Sequence, residues 1–528
     1  MLRPTFLGYK VATSAMKVNQ NTMDVVGQNI SNINTAGYTR QRLDISSVSI
    51  NARNLKYGMP GFTIGQGVQA NGVSQFRDPF LDLRYRVQSA KAGSQEVQLD
   101  ALNDLAGVLD ETLKDGIEAQ LSDLLAQFQT LSTKPSDPVI EGVVRTSAQM
   151  LAQMFNNYSQ QINTIKEQQM SYLEDGAIEK INQLMRNIAT LNQEIKENNI
   201  AGNPALELND ERNLLIDELS EYLDIEVVAT PESIGGGRTI DILSIELKGS
   251  DDGGVPSKNI KLVDNNKYSE LNIDNAVTDK VALKLKALDG TTYNDFNSNI
   301  KGGKIEGYLK FLNGKGDFAT SADSFENSKG ILYYEQMIDS LANKFAEVMN
   351  GINAENKFDA DGNLIGTDKK PLFVNRDADA TDPTVDITDG ITAGNIKISN
   401  EWAKATKSYV TNTNEPKKGN DSTGATDNLL KFIAAFSTEY DFTGMKGTFQ
   451  EFATYTMTRL DLQIKDVDTS YATYANNKYQ IEFARSSMSS VDMNEEGVNL
   501  LQYSKSYNAA ARLMTTLDEM LETLINRI

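Results

Sequence analysis

The hydrophobic pattern at the end of the chain predicts a long helix that needs a partner. From residue 500 onwards, apolar and aromatic side chains recur at alternating steps of three and four residues. This is the spacing of a coiled-coil seam, which buries one narrow stripe against another helix. Asp492, followed three residues later by Glu495, predicts an N-cap with a capping box. The seam residues are Leu500, Tyr503, Tyr507, Ala510, Met514, Leu517, Leu521, Leu524 and Ile528.

The start of the chain carries a matching seam. Its members are Thr5, Tyr9, Ala12, Met16, Asn19, Met23, Val26, Ile30 and Ile33. A lone helix with one apolar stripe is only marginally stable in water. The two seams therefore predict that the termini pair with each other, with Asn19 available to set the register. Docking of the last helix on a globular core of its own chain is the alternative that this pattern leaves open.

Between the ends, helical spacing predicts a bundle of long helices. Pro79 is placed to open one helix, and a second covers roughly 117–132. A long helix is predicted from about 140 to 198, with a phase slip between Tyr172 and Ala177. That slip indicates either a stutter or a break at Gly176. Helical spacing returns at about 323–352 and 427–488, and we expect the last of these helices to pack beside the 140–198 helix.

Two stretches interrupt the helices. From residue 227 the hydrophobic period becomes two, which predicts an inserted β domain over residues 227–302. Residues 353–426 are polar and turn-rich and predict a second β/loop insertion. Residues 359–363 imitate the start of an EF-hand loop, but Leu364 and Lys370 occupy the positions that need glycine and glutamate, which favours a hairpin turn.

These patterns predict a multidomain α+β fold. It contains paired terminal coiled-coil helices, a long-helix bundle and inserted small β domains. The expected terminal helical core domain, disordered in the free monomer, comprises residues 1–60 and 488–528. The α-helical domain is expected to comprise residues 61–226, 303–352 and 427–487.

Composition narrows the chemistry. The 528 residues include no cysteine and no histidine, which removes disulfides, thiolate metal sites and the commonest general base. The net charge of −21 argues against nucleic-acid and anionic-membrane partners. No apolar run approaches the roughly 18 residues of a membrane span. Gly65-Gln66-Gly67 resembles part of a phosphate loop but lacks the third glycine and the following helix. From the composition and the motifs together, we expect no metal and no cofactor.

Charge is unevenly spread along the chain. Residues 1–60 hold seven Lys/Arg against two Asp/Glu, and residues 485–528 hold four against six. The ends together therefore carry +3 and the middle carries −24. A nearly neutral pair of ends can pack in many copies, whereas the acidic middle favours contact with water.

Residues 28–41 read Gln-Asn-Ile-Ser-Asn-Ile-Asn-Thr-Ala-Gly-Tyr-Thr-Arg-Gln. This run resembles the N-terminal signature of bacterial flagellar rod, hook and hook-associated proteins, with Ala36 where that family usually has proline. Residues 491–512 resemble the closing helix of the family, in the form closest to its hook–filament junction members. Residues 209–219 are similar to a helix of the family, so we interpret their dense carboxylates as a solvated face. The signature residues are Asn29, Asn32, Asn34, Thr35, Gly37 and Tyr38.

The resemblance implies a non-enzymatic structural protein of the flagellar axis at the junction between hook and filament. Its implied partners are further copies in a ring, hook protein, the next junction protein and an export chaperone at the C-terminal helix. It implies secretion to the flagellum without a cleaved signal peptide, and the first residues lack the apolar core of one. The implied assembly interface comprises Met16, Asn19, Met23, Val26, Ile30, Ile33, Leu500, Tyr503, Tyr507, Ala510, Met514, Leu517, Leu521 and Leu524.

Two other functions stay open at this point. The first is a different axial protein, such as hook, rod or a flagellin-like protein. The long helical middle argues against hook protein, and the Asn-Thr-Ala-Gly-Tyr run argues against flagellin. The second is a wall-degrading enzyme on an axial scaffold, which would need a paired acid and nucleophile in a cleft. No motif points to such an enzyme.

Overall fold

The computed structural model describes residues 5–48, 65–109, 116–235, 238–248, 260–277, 280–320, 325–359, 364–377, 388–406, 408–413 and 424–526. The chain begins with one long helix and a turn through residues 32–40. An antiparallel hairpin follows and packs on the first helix. These elements are α1 (Thr5–Ser31), β1 (Gln41–Ser47) and β2 (Val68–Gln75).

Five helices then build most of the central bundle. They are α2 (Pro79–Leu109), α3 (Ile117–Thr133), α4 (Pro138–Ser171), α5 (Glu179–Ala201) and α6 (Leu206–Tyr222). Asp137 caps α4 by accepting a hydrogen bond from the Val139 N–H at 2.9 Å. Between α4 and α5, residues 172–178 form a π-helical stretch. The predicted phase slip is therefore a locally wide turn in a continuous rod and not a break.

The predicted β insertion contains two antiparallel sheets. The four-stranded sheet has the order β3 (Ile225–Gly235), β4 (Arg238–Leu247), β5 (Ile260–Asp264), β6 (Lys267–Tyr268), and the three-stranded sheet has the order β7 (Glu270–Ile273), β8 (Leu283–Lys286), β9 (Thr292–Tyr293). Ile245, Val263 and Leu285 are buried in the same hydrophobic core as the helices. The insertion is therefore packed on the bundle.

The second insertion follows two more helices, α7 (Gly303–Asn313) and α8 (Ile331–Ile352). It contains the hairpin of β10 (Glu355–Phe358) and β11 (Leu364–Asp368), the hairpin of β12 (Phe373–Asn375) and β13 (Ile396–Ile398), and the short helix α9 (Asn400–Lys404). Most of the turn predicted at 359–363 lies outside the described residues, but the strands on either side of it pair antiparallel. Trp402 is fully buried and meets Phe373 edge-on, with 6.2 Å between ring centroids.

The chain closes with α10 (Asp427–Ala435), the hairpin of β14 (Tyr440–Phe442) and β15 (Met445–Gly447), α11 (Phe449–Ser489) and α12 (Met493–Asn526). Thr448 and Glu451 form a capping box at the start of α11. The predicted neighbour of α11 is wrong, because it packs along α2 and not beside α4 or α5. Ion pairs between Arg485 and two carboxylates help to fix that arrangement.

The predicted fold class is confirmed. Long helices dominate the described residues, small antiparallel sheets interrupt them, and the two terminal helices α1 and α12 pack against each other. Of the described helices, none combines the length and apolarity that a membrane span requires.

Candidate assembly interface

The terminal helices α1 and α12 run antiparallel and approach each other closely. Gly8 faces Leu517, because a β-carbon built at Gly8 would lie 2.9 Å from the Leu517 Cδ1. The Tyr9 hydroxyl donates to the Asp518 carboxylate at 3.0 Å. At Gly8 the absence of a side chain leaves room for Leu517. Leu517 therefore packs as a knob against the backbone of α1, as side chains of a coiled coil do.

The predicted seam residues are covered to different degrees. Val26 and Ala510 are buried, whereas Leu500 is exposed. The Leu524 side chain lies outside the described part of the chain. Asn19 donates to the carbonyl of Ala15 in its own helix at 2.8 Å, so its amide is used within α1 and not across the seam. The half-buried seam residues are Met16, Met23, Ile30, Ile33, Tyr503, Tyr507, Met514, Leu517, Leu521 and Asn19 itself.

Helix α1 buries a second face that the seam pattern does not predict. Val18 and Thr22 are more deeply buried than the neighbouring Met16 and Met23. The hairpin of β1 and β2 packs on α1, and the Ser14 hydroxyl accepts a hydrogen bond from the Val68 N–H at 3.4 Å. The hairpin, rather than α12, therefore accounts for part of the burial on α1.

Helix α12, in contrast, leaves a second apolar stripe uncovered. Val498, Leu501, Leu513 and Met520 lie on its solvent side and are between 46% and 63% exposed. Large apolar side chains on one helix face are typical of a contact surface, and no described residue of this chain covers these four. Pairing with α1 therefore accounts for only one of the two apolar faces of α12.

Asn29 is the centre of a cluster that we call the signature clamp, which comprises Asn29, Tyr38, Arg40, Gln41, Glu495 and Glu496. The buried Asn29 amide donates to the Gln41 carbonyl at 2.9 Å and to the Glu496 carboxylate at 3.3 Å. Its oxygen accepts from the Gln41 N–H at 3.0 Å and from the Tyr38 hydroxyl at 2.9 Å. An asparagine side chain offers one acceptor and two donors, so it can satisfy both backbone groups of Gln41. Asn29 thus connects α1, β1 and α12.

Tyr38 remains a hydrogen-bond donor in this cluster. Burial raises the pKa of Tyr38 to about 12, and the negative charges of Glu207, Asp210 and Glu496 act in the same direction. The phenol is therefore protonated at any physiological pH. Its hydroxyl group can therefore donate a hydrogen bond to the Asn29 side chain throughout that pH range.

Arg40 closes the clamp onto the start of α12. Its guanidinium donates to Glu496 and to Glu495, each at 2.7 Å. The predicted N-cap is confirmed, since the Asp492 carboxylate accepts from the N–H groups of Asn494 and Glu495 at 2.7 and 3.2 Å. The Glu495 carboxylate pairs with Arg40 instead of completing the predicted capping box. The sequence pattern gave no signal for this long-range ion pair.

The remaining signature residues shape the turn that joins the clamp to the helical bundle. The Thr35 hydroxyl donates to the Asn32 side chain at 3.2 Å, while Asn34 lies exposed beside them. Gly37 has φ +75°, and a β-carbon there would lie 2.5 Å from Leu214 on α6. Only glycine satisfies both the left-handed backbone and this close approach.

Helix α6 binds Thr39, the residue that follows the signature, through hydrogen bonds to Asp210. The Asp210 carboxylate accepts from the Thr39 N–H at 2.9 Å, from its hydroxyl at 2.7 Å and from the Gln75 amide at 2.9 Å. Burial raises the pKa of Asp210, although the bonds from Thr39 and the charge of Arg77 oppose that rise. The turn and the β hairpin are therefore both attached to α6. The solvated face predicted for the carboxylates of residues 209–219 is wrong at Asp210 and Asp217, which are both buried.

A buried ion network continues from the clamp into the bundle. Arg485 of α11 pairs with Asp82 at 3.1 Å and with Asp217 at 2.7 Å, and Arg86 pairs with Asp217 at 2.7 Å. The Arg485 guanidinium also lies over the ring of Tyr85, 4.4 Å from its centroid. A cleft of about 440 Å³ lies between the signature turn and this network.

Two of the acidic side chains in that cleft form ion pairs with arginines. Asp82 and Asp217 are held by arginines, so neither is placed as the free acid that glycoside hydrolysis would require. In the described ranges, His, Cys, Asp and Glu form no group of three or more that could hold a metal ion. Through these contacts the site joins the signature turn, α2, α6 and α11.

Three family models match the chain. The model described as the flagellar hook-associated protein FlgK helical domain matches residues 102–373. The flagella basal body rod protein model matches residues 10–39, and the C-terminal model of the basal body rod FlgEFG proteins matches residues 485–527. The two terminal matches cover most of α1 and α12, and the long match covers α3 to α8 and the β insertion.

Relatives extend over the whole chain. Flagellar hook-associated protein 1 of Bacillus subtilis is 27% identical over 541 residues, covering 99% of this chain and 98% of that protein. The protein of the same name from Salmonella typhimurium is 23% identical over 563 residues and covers 98% of each.

A solved structure shares the fold. It is the flagellar hook junction protein FlgK from Burkholderia pseudomallei, with a TM-score of 0.54, 13% sequence identity, and coverage of 77% of this chain and 100% of that one. The helical-domain model spans more than half of the sequence, and the rod-type models match its two ends. The chain therefore belongs to the FlgK family of flagellar hook-associated proteins.

Proposed function

We propose that this chain forms part of the junction between hook and filament and that it assembles there through the α1/α12 pair. Its family consists of structural proteins of the flagellar axis. The observation that carries the assembly mechanism is the uncovered apolar stripe on α12, opposite a seam that α1 already covers. Within the described ranges α1 is the one helix that packs along α12, so the second apolar face of α12 is available to neighbouring copies.

Folding coupled to assembly is the mechanism that fits this arrangement. The terminal core domain, residues 1–60 and 488–528, is proposed to stay disordered in the free monomer and to become ordered when neighbouring copies cover the α12 stripe. Each end alone buries too little apolar surface to offset the entropy of ordering it. The domain boundaries predicted from sequence belong to this proposal, with the two insertions on the outer surface.

The proposed partners follow from the family. Related proteins are named for association with the hook, so hook protein and the next junction protein are the proposed neighbours along the axis. Further copies of this chain complete the ring. An export chaperone is proposed to bind the apolar faces of α12 before secretion. The chain is proposed to be exported without a cleaved signal peptide and to lie in the extracellular flagellum.

Electron microscopy of cells that lack this chain tests its place in the axis. Hooks without filaments, with flagellin released to the medium, are the expected result. Missing hooks would assign the chain to the rod or hook, and intact filaments would contradict an axial role altogether.

Leu517→Asp tests the assembly mechanism. The substitution replaces a half-buried apolar side chain, which packs on the α1 backbone at Gly8, with a carboxylate. We expect the variant to be exported but not incorporated, with the helical bundle still folded. Leu517→Met is the matched control, because it conserves volume and apolarity and should build normal junctions. Normal incorporation of Leu517→Asp would refute a role for this seam.

A further inference from the structure

The exposed face of helix α4 carries no charge over most of its length. Every exposed residue from Pro138 to Thr164 is Pro, Val, Thr, Met, Gln or Asn, and the first exposed charge is Glu167. At 1.5 Å per residue this face is about 40 Å long. Val139 is 78% exposed, and Val143 and Met150 are close to half exposed. The surface is therefore long, partly apolar and open.

Such a face is unusual in this chain. Charged residues make up 23% of the sequence, and the net charge is −21. Helix α5 continues the same helical rod, yet it exposes Arg186, Glu194 and Glu197. Long surface helices normally carry charges on their solvent side. The absence of charge on α4 thus separates this face from its own continuation.

Charged residues that contact α4 lie beside this face or away from it, and the exposed Arg376 donates to the half-buried Asn156 side chain of α4 at 2.9 Å. Arg145 of α4 itself is half-buried and donates to the carbonyls of Trp402 and Ala405 at 2.8 and 3.0 Å. Asp123 of α3 accepts from the buried Ser147 hydroxyl at 2.6 Å. Within the described ranges, α3, α8 and β13 pack on the other sides of α4. The uncharged face is left for something outside these elements.

Electrostatics selects the kind of partner. Two copies of this chain repel each other, because each carries −24 outside its terminal segments. A contact between acidic middles is favourable only where both surfaces lack that charge, since like charges placed together or desolvated are costly. Val and Met then supply apolar burial, and Gln, Asn and Thr can donate and accept hydrogen bonds. A basic partner would instead require an acidic face, which α4 does not offer.

We propose that the exposed face of α4 between Pro138 and Thr164 is the contact surface of the helical bundle for a second copy of this chain. The proposal rests on the proposed axial function, which places copies side by side. It adds an interface that is separate from the terminal helices. In a ring, the α4 face of one copy meets a different surface of the next, because ring-forming contacts are heterologous.

Photo-crosslinking identifies the occupant. Gln153 lies in the middle of the face and is exposed, so p-benzoylphenylalanine at this position should leave the fold intact. In assembled flagella we expect an adduct of two 58.2 kDa chains. The same group at the exposed Gln183 of α5 is the matched control and should give at least tenfold less of that adduct. An adduct with a different protein, or none, would overturn the assignment of a second copy.

Charge insertion tests whether the contact matters for assembly. The double variant Val143→Glu, Gln153→Glu adds two negative charges to the face, whereas Gln183→Glu adds one to α5. We expect at least tenfold lower incorporation of the double variant, with unchanged fluorescence of Trp402 in the purified chain, and no loss for the control. Normal incorporation of the double variant would refute the interface.

The two proposals fail in different ways. If the axial function is wrong, cells that lack the chain keep intact filaments. If only the α4 interface is wrong, Leu517→Asp still abolishes incorporation, but the α4 variants assemble normally. Should the double variant misfold, the crosslinking result at position 153 decides the matter alone.

Discussion

Glu141 should decide whether the second insertion stays docked on the bundle. It lies in the first turn of α4 and is only 4% exposed. Its carboxylate accepts from the Trp402 indole N–H at 3.2 Å, from the N–H groups of Tyr409 and Val410 at 2.8 and 3.1 Å, and from the Ser408 hydroxyl. All four donors belong to the insertion. One acidic side chain therefore accepts four hydrogen bonds from this segment, beside those that Arg145 of α4 donates to the carbonyls of Trp402 and Ala405.

The cost of removing this carboxylate can be worked out from its bonds. Glu141→Ala leaves three N–H groups without an acceptor, at about 1–3 kcal/mol each, so we expect the free energy of unfolding to fall by about 3–9 kcal/mol. Glu141→Gln keeps an oxygen for the three N–H groups, and its amide can donate to the Ser408 hydroxyl. Hydrogen bonds to a neutral amide are weaker than those to a carboxylate, but burying the amide costs less. We therefore expect Glu141→Gln to lower the free energy of unfolding by about 1–2 kcal/mol.

The single tryptophan reports this docking directly. Trp402 is fully buried and bonded to Glu141, so its fluorescence should shift to longer wavelength as the insertion detaches. A domain of 150–250 residues loses about 2–4 °C of melting temperature per kcal/mol, so Glu141→Ala should lower it by about 6–36 °C and Glu141→Gln by about 2–8 °C. Glu167→Ala on the exposed part of the same helix is the control. A Glu141→Ala melt within about 1 °C of wild type, with unchanged emission, would refute this account.

Two further perturbations test other parts of the molecule. Asn29→Ala should remove the four hydrogen bonds that Asn29 makes in the signature clamp and destabilise the clamp by about 3–4 kcal/mol. Hydrogen exchange of the Gln41 amide in assembled flagella should then be at least about 100-fold faster, whereas the control Asn32→Ala should leave it unchanged. Equal exchange in both variants would contradict the clamp. Burial raises the pKa of Asp339 to about 6 in the folded chain, above its pKa in the unfolded chain. The folded state is therefore most stable, with respect to this group, below the unfolded pKa, and that stability is lost as the pH rises through about 6. Asp339→Asn should therefore raise the free energy of unfolding by about 1–3 kcal/mol at pH 7.5 and leave it nearly unchanged near pH 3.5, which urea denaturation would measure.

Local signals in the sequence were enough for the helix pair but not for its surroundings. The three-and-four spacing predicted both terminal helices, and Asp492 marked the start of α12 correctly. Val18 and Thr22 were not in the predicted seam, although they are among the most buried residues of α1. Their burial comes with a hairpin that also packs on α1, and helical periodicity carries no information about that contact.

The neighbour of α11 shows a second limit. Its pattern predicted a long helix with a buried stripe, but a stripe does not say which helix will cover it. The choice of α2 is associated with Arg485, which reaches Asp82 on α2 and Asp217 on α6. Those partners lie hundreds of residues away in the chain, so the pairing depends on the folded bundle. The same holds for Trp402, whose partner Glu141 belongs to a distant helix.

The signature residues make their contacts with other parts of the same chain. Asn29 and Tyr38 face each other and the start of α12, and Gly37 fits against α6, so the family signature encodes a joint between the terminal pair and the bundle. A joint of this kind can be shared by rod, hook and hook-associated proteins without specifying which neighbours they bind. Specificity would then come from surfaces outside the signature, and the uncharged face of α4 is the surface that we propose for a second copy. Substitutions in the clamp should therefore disturb folding of the ends, whereas substitutions on α4 should disturb only the contact between copies.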